Sequence, residues 1–174
     1  EMYFMRSFSY FNLVRLHGGV PIRKEPTTGG SDFYMPRNSV EEVYDFVFED
    51  FKKATEMCLP YSKQSVTEFG QATKGAAQAM LSLAYLTYAN YLDLNGKGNE
   101  SGNYYQLAEN YADSVILSNE YSLVSNYADL FDVNKEKNAY KEVIFAIQHT
   151  RDATAASASS RGSELAYYTQ PSYR

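Results

Sequence analysis

The stretch from Thr73 to Leu117 limits what this chain can fold into more than any other, because two neighbouring segments in it carry different helical signatures. In the later one, Tyr104, Leu107, Ala108, Tyr111, Ala112, Val115 and Ile116 recur at spacings of three and four, while Gln106, Glu109, Asn110 and Asp113 take the other side. That spacing predicts a one-sided helix. The earlier segment, Ala76 to Leu92, leaves almost no polar face and predicts a central helix covered on nearly every side. Its alanines let neighbouring backbones approach closely, and its tyrosines supply large apolar bodies whose hydroxyls still need partners. A glycine-rich connection between the two folds them into an antiparallel pair.

The chain before this pair has the same layout. Phe4, Met5, Phe8, Phe11, Leu13 and Val14 make an apolar stripe, with Arg6, Ser7, Asn12 and Arg15 spread around it. No capping residue precedes Met2, so this helix is expected to begin upstream. Gly18, suited to the left-handed conformation, and Pro21 end it, and Arg23 to Pro36 reads as a loop. Ser39 and Glu42 form a capping-box pattern at the start of a second helix, whose buried stripe is Val40, Val43, Tyr44, Val47, Phe48, Phe51 and Ala54. Glu41, Glu42, Asp45, Glu49 and Asp50 are assigned to its exposed face, with Lys52 and Lys53 towards its negative end. Leu59-Pro60 stops it, Tyr61 to Gln71 forms a second connection, and Thr73 is placed to cap the central helix.

The expected fold is therefore all-α. Two stacked hairpins, residues 2–59 and 72–119, resemble tetratricopeptide units, and an irregular, loop-rich part covers 120–174. Arrays of this kind usually need about three repeats for stability, which predicts further sequence or a partner surface. In the last part, Tyr121 to Leu123 and Tyr127 to Phe131 read as a turn and a short anchoring helix. Glu142 to Gln148 carries an apolar run too short for a helix, and Thr150 to Ser163 reads as a mobile surface loop.

Composition removes several function classes. The 174 residues fit one domain, and no apolar run approaches the roughly 20 residues that cross a bilayer. A net charge of −5 argues against nucleic acid, where phosphate neutralisation needs a basic face. One cysteine, Cys58, and two imidazoles, His17 and His149, argue against a disulfide or a zinc site. No cofactor is expected: Gly96, Gly98 and Gly102 miss the dinucleotide fingerprint by one residue and lack a preceding strand. Asp93, Asn95, Asn99 and Glu100 could gather oxygens around calcium, but Lys97 stands where a ligand is needed, so a solvated hairpin loop is the better reading. Gly162-Ser163-Glu164 lacks a neighbouring base, and although carboxylates are plentiful, those on the second helix read as a solvated face and none is identifiable as an acid and base pair, so the sequence offers no catalytic constellation and an enzyme is not expected.

The candidate binding residues are Arg151, Asp152, Arg161, Tyr167, Tyr168, Gln170 and Tyr173. Stacking rings beside hydrogen-bonding heads suit a carbohydrate, which presents an apolar ring face edged by hydroxyls.

Four stretches carry a resemblance to a known family. Arg6 to Ile22 resembles the R-x-F-x-Y-F-x-L segment, ending in G-x-V-P, of the SusD/RagB outer-membrane nutrient-binding lipoproteins. Tyr44 to Pro60, with Asp50, Ala54 and Leu59-Pro60, is similar to the helix that follows in that family. Ala72 to Leu81 resembles its A-T-K-G-A-A segment, and Tyr121 to Leu123, Tyr127, Leu130-Phe131 and Glu142 to Phe145 resemble later positions. His17 replaces the usual aromatic, and the tryptophans often found stacking on sugars are missing. The resemblance covers nearly the whole chain in order and suggests an interior segment.

What the resemblance implies is a surface-exposed binder of glycans, sometimes peptides, of Bacteroidota-type bacteria, working beside a TonB-dependent, SusC-like transporter. It would be held at the cell outer membrane only through a lipid anchor outside this segment, and would make or break no bond. The rival reading is a helical-repeat adaptor for a protein partner, which needs only the hairpins. A helical glycan hydrolase comes third, for want of a carboxylate pair.

Overall fold

A computed structural model of the chain describes residues 1–26, 34–65, 70–135 and 139–147. Among these the architecture is all-α, with helices α1 (Met2–His17), α2 (Val40–Met57), α3 (Lys74–Leu94) and α4 (Gly98–Ile116), short 3-10 turns after α2 and after α4, and no strand.

The helix boundaries follow from capping chemistry. Ser39 Oγ accepts the Glu42 N–H at 3.1 Å, and the Glu42 carboxylate accepts the Ser39 N–H at 2.8 Å. Thr73 Oγ1 accepts the Ala76 N–H at 2.9 Å, a bond worth about 1 kcal/mol to α3. α1 ends at Gly18, whose φ of 72° would strain any residue with a side chain while its N–H bonds the Val14 carbonyl. α4 starts at Gly98, earlier than its apolar pattern indicates. Its first turn is exposed at Asn99, Glu100, Gly102 and Asn103, so apolar periodicity could not register there.

α3 packs on α2 and α4 and touches α1 at a few points. Its buried stripe, Ala76, Ala77, Leu81, Ala84, Tyr85, Tyr88, Ala89 and Leu92, lies between those neighbours. The opposite side is open: Leu83 and Leu86 are 41% and 42% exposed and Leu94 is 87% exposed. The central helix is thus flanked rather than enclosed by the described residues, which corrects the expectation of cover on nearly every side.

Rings fill the space between α2, α3 and α4. Phe48 stacks on Tyr85 at 4.3 Å between centroids, and Tyr88 lies 4.8 Å from both Tyr44 and Tyr104. Such pairs add about 0.5–1.5 kcal/mol each beyond the area they bury. Burial pushes the hydroxyls of Tyr44, Tyr85 and Tyr88 up to about 12 in pKa, because the phenolate would lose its hydration.

α1 and α2 are joined by charge as well as by rings. Arg6 Nε donates to Asp50 Oδ2 at 2.6 Å and its Nη2 to Oδ1 at 3.0 Å, a two-pronged pair on a carboxylate that is fully buried. The Asp50 carboxylate raises the Arg6 pKa above its ordinary value, mainly through this hydrogen bond. Next to it, buried Ser7 donates to the Val47 carbonyl at 2.7 Å. Asp50 and Ser7 are therefore interior contacts, not members of a solvated face. The helical wheel puts Asp50 beside Glu49 but cannot see the arginine waiting across the interface.

After α4 the chain returns across the bundle as a strap. The Tyr121 hydroxyl lies 2.8 Å from Thr73 Oγ1, and its ring covers Gly75, where a Cβ would come within 2.6 Å of it. Glu120 accepts from the N–H and hydroxyl of Ser62 at 2.7 and 2.9 Å. The Ser122 N–H bonds the Lys141 carbonyl at 2.8 Å, and Phe145 lands on Phe4 at 4.9 Å and on Phe8 at 5.9 Å. Among the described residues, the two rings at the ends of the turn Tyr127–Leu130 do not anchor the strap as their sequence suggests. Tyr127 and Phe131 are exposed and lie edge-on to each other at 5.3 Å.

Arg6→Ala leaves the Asp50 carboxylate buried without its counter-charge, and the expected cost is about 3 kcal/mol in a urea unfolding titration. The buried tyrosines predict an alkaline limit. Their folded pKa lies above the unfolded value of about 10, so their contribution is complete below pH 10 and is lost as pH rises towards 12. Absorbance at 295 nm should show a late-ionising tyrosine class whose titration coincides with loss of helical circular dichroism.

Candidate functional site

A groove lies beside α2, where the segment leaving α1 runs back along it. That segment is pinned at several points. The Asn38 N–H bonds the Val20 carbonyl at 3.3 Å, and Asn38 Oδ1 accepts the Ile22 N–H at 3.0 Å. The Tyr10 hydroxyl accepts the Arg23 N–H at 2.8 Å. Arg37 donates to the carbonyls of Gly19 and His17 at 2.7 and 2.6 Å, satisfying the open end of α1. Arg6 Nη1 reaches the Lys24 carbonyl at 3.3 Å, so the pair that joins the helices also holds this segment.

The space enclosed is about 720 Å³ and lies within the size range of small-ligand sites. Phe46 forms its base, with the Tyr10 ring edge-on at 5.1 Å, the Arg6 guanidinium 4.9 Å from its centroid and Lys24 Nζ 5.9 Å from it. One wall is α2, where Glu42, Asp45 and Glu49 fall on one face at spacings of three and four. Bonds from the Ser39 backbone and from Asn38 hold the Glu42 carboxyl below the usual range, and Lys53 does the same for Glu49. Asp45 differs: among the described residues it makes no hydrogen bond or salt bridge. At the rim Tyr34 is fully exposed, and Met35 is partly so.

A shallower groove of about 550 Å³ separates α2 from α4, floored by Phe48, Tyr85, Tyr104 and Leu107, with Lys52 Nζ 5.9 Å from the Tyr85 ring. The loop between α3 and α4 is occupied by its own contacts. Lys97 pairs with Glu41 at 3.0 Å, and Asp93 Oδ2 lies 2.7 Å from the Tyr105 hydroxyl. Among the described residues no group of three or more His, Cys, Asp or Glu side chains is placed to hold a metal, and no helix is long and apolar enough to cross a membrane.

Arg151, Asp152, Arg161, Tyr167, Tyr168, Gln170 and Tyr173, the residues singled out by the sequence, all lie outside the described residues. The groove beside α2 escaped the sequence reading because its acidic wall looks like an ordinary solvated helix face. The signal that could have found it is the Arg23-Lys24 pair just after a Gly-Val-Pro turn, opposite carboxylates at positions 42, 45 and 49.

Comparison with known proteins agrees with the helical architecture. A SusD-like family model, described as starch-binding and associating with the outer membrane, matches residues 1–86. A curated SusD-like protein of Bacteroides ovatus is 28% identical over 148 residues, covering 85% of this chain and 25% of that protein. A crystal structure of a SusD-like protein from Bacteroides fragilis shares 30% identity with a TM-score of 0.68, over 86% of this chain and 27% of that one. A laminarin-binding SusD-like protein gives 25% identity and a TM-score of 0.69 over 86% of this chain and 30% of the other. The chain thus spans about a quarter of the length of these relatives. It is a member of the SusD-like family, which is described as associating with the outer membrane, and its curated relatives come from Bacteroides ovatus and Formosa agariphila.

Asn38→Ala removes the side-chain acceptor of the Ile22 N–H and should lower stability by about 1 kcal/mol. The segment that it pins should then be cut faster by trypsin at Arg23 and Lys24, compared with the parent chain under native conditions.

Proposed function

We propose that this chain serves non-catalytic capture of glycans at the cell surface and their delivery to a TonB-dependent, SusC-like outer-membrane transporter, with a lipid anchor outside this segment. The observation that carries the reading is the shared fold and sequence with SusD-like proteins, one of them named for binding laminarin. Capture without chemistry needs no acid and base pair. It needs rings and hydrogen-bonding heads held in place by something stiff.

In this reading the hairpins of residues 2–59 and 72–119 are scaffold and partner surface, and the loops, above all the region after Phe145, bring ligand contacts. The stiffness comes from the Arg6–Asp50 pair and the packed rings of α2, α3 and α4. Leu83, Leu86 and Leu94 recur on one exposed face of α3 and suit contact with another protein, the transporter in this reading. Arg151, Asp152, Arg161, Tyr167, Tyr168, Gln170 and Tyr173 are the proposed ligand residues. A helical adaptor would use the same leucine face and would bind no sugar.

Calorimetry with soluble oligosaccharides, followed by chromatography of the mixture, tests the reading. Saturable binding with the sugar recovered intact is expected, and Tyr167→Ala or Tyr168→Ala should weaken it about threefold to tenfold with little change in melting temperature. Release of shorter sugars would make the protein a hydrolase. Binding to a protein partner with no sugar binding would make it an adaptor.

A further inference from the structure

We infer that the groove beside α2 is a second sugar-contacting site, taking one pyranose unit of a neutral oligosaccharide between Tyr34, Lys24 and Asp45; this rests on the glycan-capture reading. The groove unites three features that a sugar ring requires. The first is an unused aromatic surface: Tyr34 is fully exposed at the rim, while Phe46 below is already enclosed by Tyr10, Arg6 and Lys24. The second is an acceptor: on its wall Asp45 makes no hydrogen bond or salt bridge with another described residue, while Glu42 serves the α2 cap and Glu49 serves Lys53. A free carboxylate can accept from two adjacent sugar hydroxyls at once. The third is a donor across the groove, because the Lys24 ammonium forms no hydrogen bond or salt bridge with another described residue; it lies against the Phe46 ring and is attracted at longer range by Glu49.

Charge then decides the class of ligand. Three carboxylates on α2 disfavour a polyanion, and the Lys24 ammonium with the Arg6 guanidinium near the base disfavours a polycation. A neutral polyol uses both signs at once, as acceptor and donor. Part of the backbone beside the groove is held before binding, at Ile22 and Arg23 by the bonds to Asn38 and Tyr10 and at Arg37 by its bond to Gly19, which lowers the ordering cost there.

The test uses the full chain, laminarihexaose as the sugar and a zwitterionic hexapeptide as the competing class. In two-dimensional 15N spectra the sugar should shift Lys24, Tyr34, Asp45 and Phe46. Asp45→Ala should lower affinity about tenfold and Tyr34→Ala about threefold to tenfold, each with an unchanged melting temperature because both side chains are exposed. Shifts and affinity that ignore both substitutions, while Tyr168→Ala weakens binding, overturn the groove and leave glycan capture standing. Failure of the unmodified chain to bind laminarihexaose overturns the groove, failure with every soluble oligosaccharide of the calorimetric test overturns glycan capture as well, and shifts at these residues from the peptide alone overturn the assignment to sugar.

Discussion

The bidentate contact between Arg6 and Asp50 is the interaction on which the rest of the structure depends. A carboxylate fully removed from water is tolerable only beside a counter-charge with matching geometry, and the guanidinium fork supplies it. The contact fixes the register of α1 against α2, because displacing either helix would take the guanidinium away from the buried Asp50 carboxylate. Through its remaining nitrogen Arg6 also holds the Lys24 carbonyl, and its charged face lies against Phe46. One side chain thus joins two helices and one edge of the groove beside them.

The second organising constraint is the ring content of the interior. Where many cores rely on leucine and isoleucine, α2, α3 and α4 meet through tyrosines and phenylalanines in edge and stacked contacts, with alanines beneath them on α3. Rings have few rotatable bonds, so they lose little freedom on burial and their contacts are directional. A scaffold made this way resists small sliding motions of its helices. That quality suits a protein whose proposed task is to present loops in fixed positions.

Much of the helical architecture was legible because local chemistry announces it. Ser39 with Glu42, Thr73 before α3 and Gly18 after α1 all do structurally what their residue types suggest, since capping depends only on near neighbours. What was hidden depends on partners far away in sequence. Asp50 looks like a solvent-facing acid until Arg6 is known to lie opposite, and Tyr127 and Phe131 look like anchors although both are exposed and, among the described residues, their rings meet each other. The exposed side of α3 was misjudged for a related reason, as an apolar residue in sequence cannot say whether anything covers it. The groove beside α2 was invisible because it is a property of two segments brought together, one of which reads only as a loop. The tyrosine-rich stretch near residue 170 lies outside the described residues, whereas the groove is built from residues 22–49.

The strap ending at Phe145 adds a temporal dimension to this architecture. Its ring seats on Phe4, 141 positions earlier by subtraction of their numbers, whereas each helical hairpin joins neighbours in the chain. Bringing such distant ends together costs loop-closure entropy that local pairing avoids. During synthesis the first helix therefore waits with one aromatic edge bare until almost the entire described length has emerged, and the same seat is the natural place for the finished bundle to begin coming apart.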